Sequence, residues 1–498
     1  MTSTTPYIWL STLILDQIWF VIMLLFCLYG LHRYWQVWTY HRHRKTPTPQ
    51  PQQFDQLPKV TIQIPLYNEP EVAQRIIQAA ADIDYPQHLI DIQVLDDSTD
   101  HTPTQIKSLY ESLTSQGHNI THITRDERTG YKAGALAEGL KSAHGQFIAI
   151  FDADFIPLPD FLQKTIHTFT DEKVGMVQTC WGHLNPNQSI LTKAQSQYLD
   201  GHFHIEHFAR NKSGRWINFN GTAGIWRKTA IEQAGGWQGD TLSEDVDLSY
   251  RSQLKDWKFV YLPHVICPAE IPSSMLAFKS QQHRWTKGTI QNAFKHIPKI
   301  LSAKIPAKVK LESFFHLTSP AVSLLMFITM CLLSYSLISQ NTFVRFQNNS
   351  HTLSLTFFLL GFLSVICFYT VAGCAGQRTF LKSLLTVPSL LALGIGLSIN
   401  NASAVLEAIF RYKSPFIRTP KAGDSTTQSK VLSNTSDTLF SRRTLIQCIE
   451  FAMLALMVYC LIITIQQDQN WLSLPFLALF IMGLAWVSIQ SLLERLAK

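Results

Sequence analysis

Two apolar runs in this chain end in paired carboxylates. IAIFDAD (148–154) places Asp152 and Asp154 one residue apart after Ile148 to Phe151, and IQVLDD (92–97) ends on Asp96 and Asp97. On an extended backbone, residues two apart face the same way. Carboxylates that close repel unless a cation sits between them or one keeps its proton. Mg2+ and Mn2+ are hard ions that take one or two carboxylates together with phosphate oxygens. Asp152 and Asp154 therefore read as a holder for a divalent ion that bridges protein and a diphosphate. A solvated turn is the ordinary alternative, and D-x-D alone is common in surface loops. The buried run before it, with Asp97 at a second strand end, favours the site.

Three further stretches bear on the same chemistry. Lys132 follows RDERTGY and opens a predicted helix, where a point charge beside a helix N-terminus suits a phosphate; read alone it is a solvated lysine. GDTLSEDVDLSYR (239–251) sets Glu244, Asp245 and Asp247 at a helix start, with Ser243 as the expected N-cap. The helix dipole favours acids there, but three of them among Val246 and Leu248 point to a general base at the mouth of a cleft. SQQHRWTKG (280–288) puts Gln281 and Arg284 on one helical face. Arginine grips phosphate bidentately and Trp285 suits stacking on a sugar ring; an amphipathic interfacial helix accounts for the same stretch, and the two readings are compatible. NFNGTAGIWRK (218–228) and AGGW (234–237) are glycine-rich and lie among Trp216, Trp226 and Trp237. These are candidate sugar platforms, although a core position is the commoner explanation for any one tryptophan.

The elements that must hold these groups alternate. KVTIQIP (59–65), IDIQVLDD (90–97), NITHITR (119–125) and GQFIAIFDAD (145–154) read as strands, separated by helical patterns. Such alternation implies an α/β domain with a parallel sheet covered on both faces, and ligands bind such sheets beyond the carboxyl ends of the strands. Both acidic pairs fall at that edge. No internal repeat of 20–50 residues is seen, which excludes a solenoid.

The flanks are of another kind. Residues 7–31 carry one charge, Asp16, and are long enough to cross a bilayer. Arg33, Arg42, Arg44 and Lys45 follow, so the positive-inside rule places the middle of the chain in the cytoplasm. Apolar runs recur at about 316–339, 353–375, 382–402, 445–466 and 471–493. The basic stretch 411–430 favours a cytoplasmic loop, which is met if 382–402 is re-entrant or interfacial and five runs cross; six crossings are the alternative. The expected organisation is a transmembrane helix with its basic flank (1–45), a Pro/Gln linker (46–58), a domain over 59–310 that includes an interfacial helix, and a C-terminal membrane region (311–498) with four or five apolar segments. The net charge of +7 is clustered beside these spans and reads as attraction to anionic lipid rather than nucleic acid. The eight cysteines form no C-x-x-C pair and read as small buried hydrophobes rather than a zinc site or a disulfide framework.

Taken in order, DDS, DAD, SED and QQHRW resemble the D, D-x-D, (T/E)-E-D and Q-x-x-R-W elements of processive family 2 glycosyltransferases, the cellulose, hyaluronan and mannan synthase group. The phrases QIPLYNEPEV, FNGTAGIWRKTAIEQAGGW and WKFVYL look closest to the plant-type cellulose-synthase-like mannan and glucan synthases. The resemblance spans roughly residues 58–300. It implies a cytoplasmic, Rossmann-like GT-A domain inserted between transmembrane helices, a multi-pass protein of a bacterial inner membrane or a Golgi-type membrane, and a membrane channel for the product. It further implies a nucleotide-diphosphate sugar donor, UDP-glucose or GDP-mannose, and inverting transfer to a β-linked polysaccharide with Mg2+ or Mn2+ as cofactor.

Carried over residue by residue, the resemblance puts Asp96 and Asp97 on the nucleoside with Glu69 near the base. It puts Asp152 and Asp154 on metal and diphosphate and Lys132 beside the diphosphate. Asp245 becomes the catalytic base, and Glu244, Gln281, Arg284 and Trp285 meet the acceptor end and pyrophosphate. Ser243 stands where the family often has threonine. No appended cyclic-dinucleotide domain is seen. Two other readings remain: a non-processive enzyme adding one sugar to a membrane lipid such as diacylglycerol or ceramide, and a binding-only transporter or scaffold on the same fold, against which the intact acids argue.

Overall fold

The structure is a computed structural model that describes residues 6–46, 51–339, 349–412, 442–466 and 473–497. At its centre is a seven-stranded sheet in the order β3-β2-β1-β4-β6-β5-β7. The strands are β1 (Val60–Leu66), β2 (Ile90–Asp96), β3 (Ile120–Thr124), β4 (Phe147–Ile150), β5 (Val174–His183), β6 (Gly224–Arg227) and β7 (Lys258–Ala269). The parallel expectation holds for β1 to β4. It fails at β6, which pairs antiparallel with both β4 and β5, while β7 runs parallel to β5. A strand of four residues carries too little alternation to announce itself.

Both faces of the sheet are covered, which is why its inner strands read as unbroken apolar runs. In β4 and the residue after it, Phe147, Ala149 and Phe151 enter one core and Ile148 and Ile150 the other. Helix α1 (Pro70–Ala81) begins with proline in its first turn, where no amide partner is lost, and buries Val72, Ala73, Ile76, Ile77 and Ala80 against the first core. Helix α2 (Tyr131–Ser142) presents Ala133 and Leu136 to the second.

Beyond the sheet, helix α3 (Glu244–Gln253) leads through β7 to the 28-residue helix α4 (Met275–Ser302), which carries the QQHRW stretch. Among the described residues, five helical stretches are long and apolar enough to cross a membrane: Ile14–His43, Ala307–Ser339, Leu353–Ala375, Arg442–Gln466 and Leu474–Leu496. A sixth run is broken, with helices Phe380–Gly396 and Ser398–Ile409 meeting at 45°. This multi-pass arrangement matches the apolar runs of the sequence. The basic stretch 411–430 lies, from 413 onward, outside the described residues.

The C-terminal helices clamp α4. Glu494 accepts from the Met275 and Leu276 amides at 2.7 and 3.0 Å. Glu450 pairs with Lys279 at 2.7 Å, and Glu407 with Lys287 at 2.9 Å. Removing one member of such a buried pair strands the other, so the motif helix is positioned by the membrane region as much as by the sheet. All eight cysteines are free, and Cys27, Cys180, Cys267 and Cys460 are buried as expected. Cys331, Cys374 and Cys448 are exposed instead, each on a long apolar helix.

Candidate active site

Because β6 alone is reversed, its entry, Asn220 to Ala223, lies at the same sheet edge as the carboxyl ends of the other strands. A cleft of about 190 Å³ opens along this edge. It collects Glu69 after β1, Asp97 after β2, Asp152 and Asp154 after β4, and Lys132 from α2. From the other side come Glu244 and Asp245 on α3 and Gln281, Arg284 and Trp285 on α4. Residues more than 200 positions apart in sequence thus face one space.

Asp96 is the exception among the expected donor contacts. It is buried, accepts from the Ser98 amide at 2.9 Å, and meets His122 at 3.0 Å. Burial opposes its ionisation, but these hydrogen bonds outweigh it and hold the carboxyl below its usual range. Consecutive strand residues point to opposite faces, so only Asp97 reaches the cleft. Asp97 is held by Arg125, whose Nε and Nη2 lie 2.9 and 2.5 Å from the two carboxylate oxygens. Neighbouring Arg128 lies over the Tyr67 ring, 3.3 Å from its centroid. Tyr67 and both arginines carry no signal of their own in the sequence, where Arg125 ends the predicted strand NITHITR.

Asp152 is fixed from two sides. Its amide donates to Thr222 Oγ1 at 2.8 Å, and its carboxylate takes the Lys132 ammonium at 2.5 Å. Lys132 also donates to the Gly221 carbonyl at 2.8 Å. Burial would lower the lysine, yet Asp152, Glu244 and Asp245 together hold it above its ordinary value. Gly221 has φ +82°, and a Cβ there would stand 3.1 Å from Asp245 Oδ2. Glycine is thus required both by backbone conformation and by the approach of the carboxylate. One short loop therefore touches the D-x-D segment, the lysine and the acid of α3.

Asp152 and Asp154 suit a divalent ion. Both offer hard oxygen ligands to the cleft. Among the described residues no group of three or more His, Cys, Asp or Glu gathers to enclose a metal. Phosphate oxygens and water would complete the coordination of such an ion when bound.

Asp245 sits in the first turn of α3. Burial, and then the adjacent Glu244 carboxylate, push its carboxyl up to about 7, against the Val246 amide, Lys132 and Arg284. A carboxyl near neutrality is matched to taking a proton from a hydroxyl. Ser243 does not cap this helix through its side chain. Its Oγ occupies the space beside Gly288, where a Cβ would be 2.1 Å away. The serine is a packing contact between α3 and α4 rather than a cap.

Of the tryptophans weighed as sugar platforms, Trp226 and Trp237 lie in the core and Trp216 packs on Tyr250. The cleft is lined instead by Trp285 and by Trp181 of β5, whose ring centroids are 6.5 Å apart. Trp181 was not singled out, because a tryptophan in an apolar strand carries no outward signal.

Residues 58–288 match the family described as glycosyltransferase like family 2. This segment is a family 2 glycosyltransferase domain. The glycosyltransferase domain and its surroundings are 40% identical over 285 residues to glucomannan 4-beta-mannosyltransferase 7 of Arabidopsis thaliana, covering 55% of this chain and 51% of that protein. Against glucomannan 4-beta-mannosyltransferase 9 of the same plant the identity is 45% over 239 residues, 46% of this chain and 44% of the relative. A probable glucomannan 4-beta-mannosyltransferase 3 of Oryza sativa subsp. japonica is 44% identical over 248 residues, 48% of this chain and 44% of its own. The chain thus spans about half the length of the curated relatives it matches. The glycosyltransferase fold is also similar to the mannosyltransferase PcManGT from Pyrobaculum calidifontis, solved in complex with GDP-Man and Mn2+. The TM-score is 0.55 at 20% identity, over 80% of this chain and 100% of that one; at such identity the likeness concerns the fold alone.

Proposed function

We propose that this protein is an inverting membrane glycosyltransferase that extends a β-linked polysaccharide of mannan or glucan type, with GDP-mannose as the favoured donor over UDP-glucose. One observation carries the reading: Asp245 lines two cavities that share part of their walls. The first is the cleft of strand ends. The second, of about 460 Å³, runs among Tyr29, Phe315, Met326, Phe368 and Leu390 of the apolar helices and shares Asp245, Trp181, Asn220, Gln282 and Trp285 with the first. A donor on the sheet side and a chain end on the membrane side would meet at this carboxyl. The names of the mannosyltransferase relatives support mannose over glucose.

In the mechanism, Asp97 and Glu69 bind the nucleoside, and Lys132 and Arg284 compensate charge that develops on the departing diphosphate. Trp285 and Gln281 orient the acceptor sugar. Asp245 accepts the proton of the attacking hydroxyl as that oxygen bonds to the anomeric carbon and the nucleoside diphosphate leaves in line from the opposite face, through a transition state with oxocarbenium character. Asp152 and Asp154 would hold Mg2+ or Mn2+, which supplies further charge neutralisation to the diphosphate when bound. The basic flank, Arg33 to Lys45, supports a cytoplasmic placement of this site.

The test is incubation of the purified protein in lipid with Mn2+ and each labelled nucleotide sugar, followed by sizing of the product. A polymer made from GDP-mannose is expected. A single sugar on diacylglycerol or ceramide contradicts processive extension, and absence of released nucleoside diphosphate with every donor contradicts transfer itself.

A further inference from the structure

The helix that carries Gln281, Arg284 and Trp285 is capped from outside itself. The first amides of a helix have no partner within it. In α4 the N-cap Ser274 accepts from the Ala277 amide at only 3.4 Å. The Met275 and Leu276 amides turn instead to the Glu494 carboxylate of another helix, to which Ser274 Oγ also donates, at 2.7 Å. Glu494 lies in the last turn of helix Leu474–Leu496, where the dipole of its own helix disfavours an acid. Its placement is accounted for by the positive end of α4, which it meets.

The carboxylate is fixed for that contact. Gln490 donates to Glu494 Oε1 at 3.1 Å and accepts from Trp486 Nε1 at 2.8 Å. The three residues stand four apart in sequence, so this ladder runs along one side of the helix. Trp486 packs in turn on a buried cluster that contains Met275 and Phe278 of α4. Polar and apolar contacts of one helix thus bear on the first two turns of the other.

Further along, α4 is gripped on two sides. At about 3.6 residues per turn, Lys279 and Lys287 fall on one side, and Gln281, Arg284 and Trp285 on the other. The lysine side is tied to Glu450 and Glu407 of the C-terminal helices, and Asn400 donates to the Lys279 carbonyl at 3.0 Å. The other side bears on the start of α3: Gly288 lies against Ser243, and Asn292 Nδ2 donates to the Ser243 carbonyl at 3.0 Å. Ser243 is two residues from Asp245. The rotation of α4 about its axis therefore decides where Arg284 stands relative to Asp245, and a slip of one residue would swing that face by roughly 100°. Arg284 and Lys132 are the two cations that draw Asp245 down against burial and Glu244.

We propose that Glu494 is a positioning residue of the transfer reaction: by capping α4 from helix Leu474–Leu496 it fixes the rotation at which Arg284 and Trp285 face Asp245. Glu494 lines neither cavity, so it acts through α4 alone. The inference rests on the proposed glycosyl transfer and adds to it a residue of the membrane region on which the rate depends.

The test uses the whole chain in lipid with Mn2+ and saturating GDP-mannose, and follows GDP release as a function of pH. Glu494→Ala is expected to lower kcat by about 10- to 100-fold, the scale of a misplacement of roughly 1 Å. The donor KM should stay within a few-fold, because Glu69 and Asp97 are carried by the sheet. The pH of half-maximal rate should move upward, because Arg284 recedes from Asp245. Glu494→Gln keeps an oxygen for the α4 amides and should restore most of the rate. Gln490→Met leaves Glu494 in place and only unties it, so it carries the test should Glu494→Ala fold poorly; a severalfold loss of kcat with the same upward shift is expected. Variants with the wild-type kcat and pH midpoint overturn the inference. So do variants whose rate falls while the midpoint stays in place, since that is a loss of folded enzyme rather than of aim. A wild type that releases no nucleoside diphosphate from any donor overturns the transfer reading and the role of Glu494 with it.

Discussion

Asp245 and Asp247 leave the first turn of one helix two positions apart and enter opposite surroundings. Asp245 faces the cleft, where burial and then Glu244 push it up to about 7. Asp247 turns into the protein and meets His296 at 2.8 Å, Lys295 at 2.7 Å and Arg251 at 2.7 Å. Burial opposes its ionisation, yet these partners hold it well below the usual carboxylate range. The same residue type is kept reactive on one side and inert on the other. The lesson is that partners, not residue type, divide chemistry from structure: Asp245 shares Lys132 with Asp152 and Glu244, whereas Asp247 has His296, Lys295 and Arg251 gathered around it.

If that division is right, disturbing the cleft side should cost activity and spare the fold. Chelation of divalent ions should bring nucleoside diphosphate release to background, restored by Mn2+ or Mg2+, with no fall in melting temperature in the absence of donor. Transfer that persists undiminished in chelator breaks the assignment of Asp152 and Asp154. The closed side should behave in the opposite way. Asp247→Asn leaves His296, Lys295 and Arg251 without their common carboxylate and should lower stability by about 3 kcal/mol, as the breaking of buried pairs does. Thermal unfolding checks this, and a melting temperature equal to wild type contradicts it.

The two acids also differ in the sign of their pH dependence. Asp247 is depressed in the fold, so its stabilisation is present above the ordinary carboxylate value and is lost as pH falls through its folded value. Asp245 is raised, so the stability linked to its proton is present at low pH and is lost as pH rises toward and through about 7. For catalysis the base form is needed. The rate of transfer per donor and acceptor encounter should therefore fall about tenfold per unit below this value, as one titrating base requires. A flat profile between pH 5 and 8 removes Asp245 from the rate law. The smallest effect is expected at Gly221. An alanine there must adopt φ +82° and crowd Asp245 Oδ2, which costs roughly 1 kcal/mol in backbone strain. It should slow transfer severalfold while donor binding persists; a normal rate contradicts the contact.

Much of this division was legible in the sequence, and its gaps have physical causes. Apolar runs ending in acids located β2 and β4, because a strand buried on both faces holds an acid inside only where it is hydrogen-bonded, as Asp91 is to Thr61, and otherwise offers carboxylates at its tip. The membrane helices announced themselves by length. The pair Asp96–Asp97 did not reveal which member faces the cleft, since alternation fixes the two on opposite faces without saying which is outward. The reversal of β6 was hidden by its brevity, although the glycine-rich NFNGTA segment before it was noticed. Ser243 looked like a cap by position, but its partner, Gly288, lies 45 residues on. Trp181, Arg125 and Arg128 are placed by contacts between distant segments, and no local pattern marks them.

The central claim is that Asp245 is the base between a donor cleft and an acceptor conduit. Its most direct test is Asp245→Asn assayed for both transfer and donor binding. Transfer should fall by about 10²- to 10⁴-fold, the range for a positioned general base, while GDP-mannose affinity stays within a few-fold and the melting temperature at pH 8 does not fall. An Asn variant that transfers at the wild-type rate, or that loses donor affinity as severely as it loses transfer, contradicts the account.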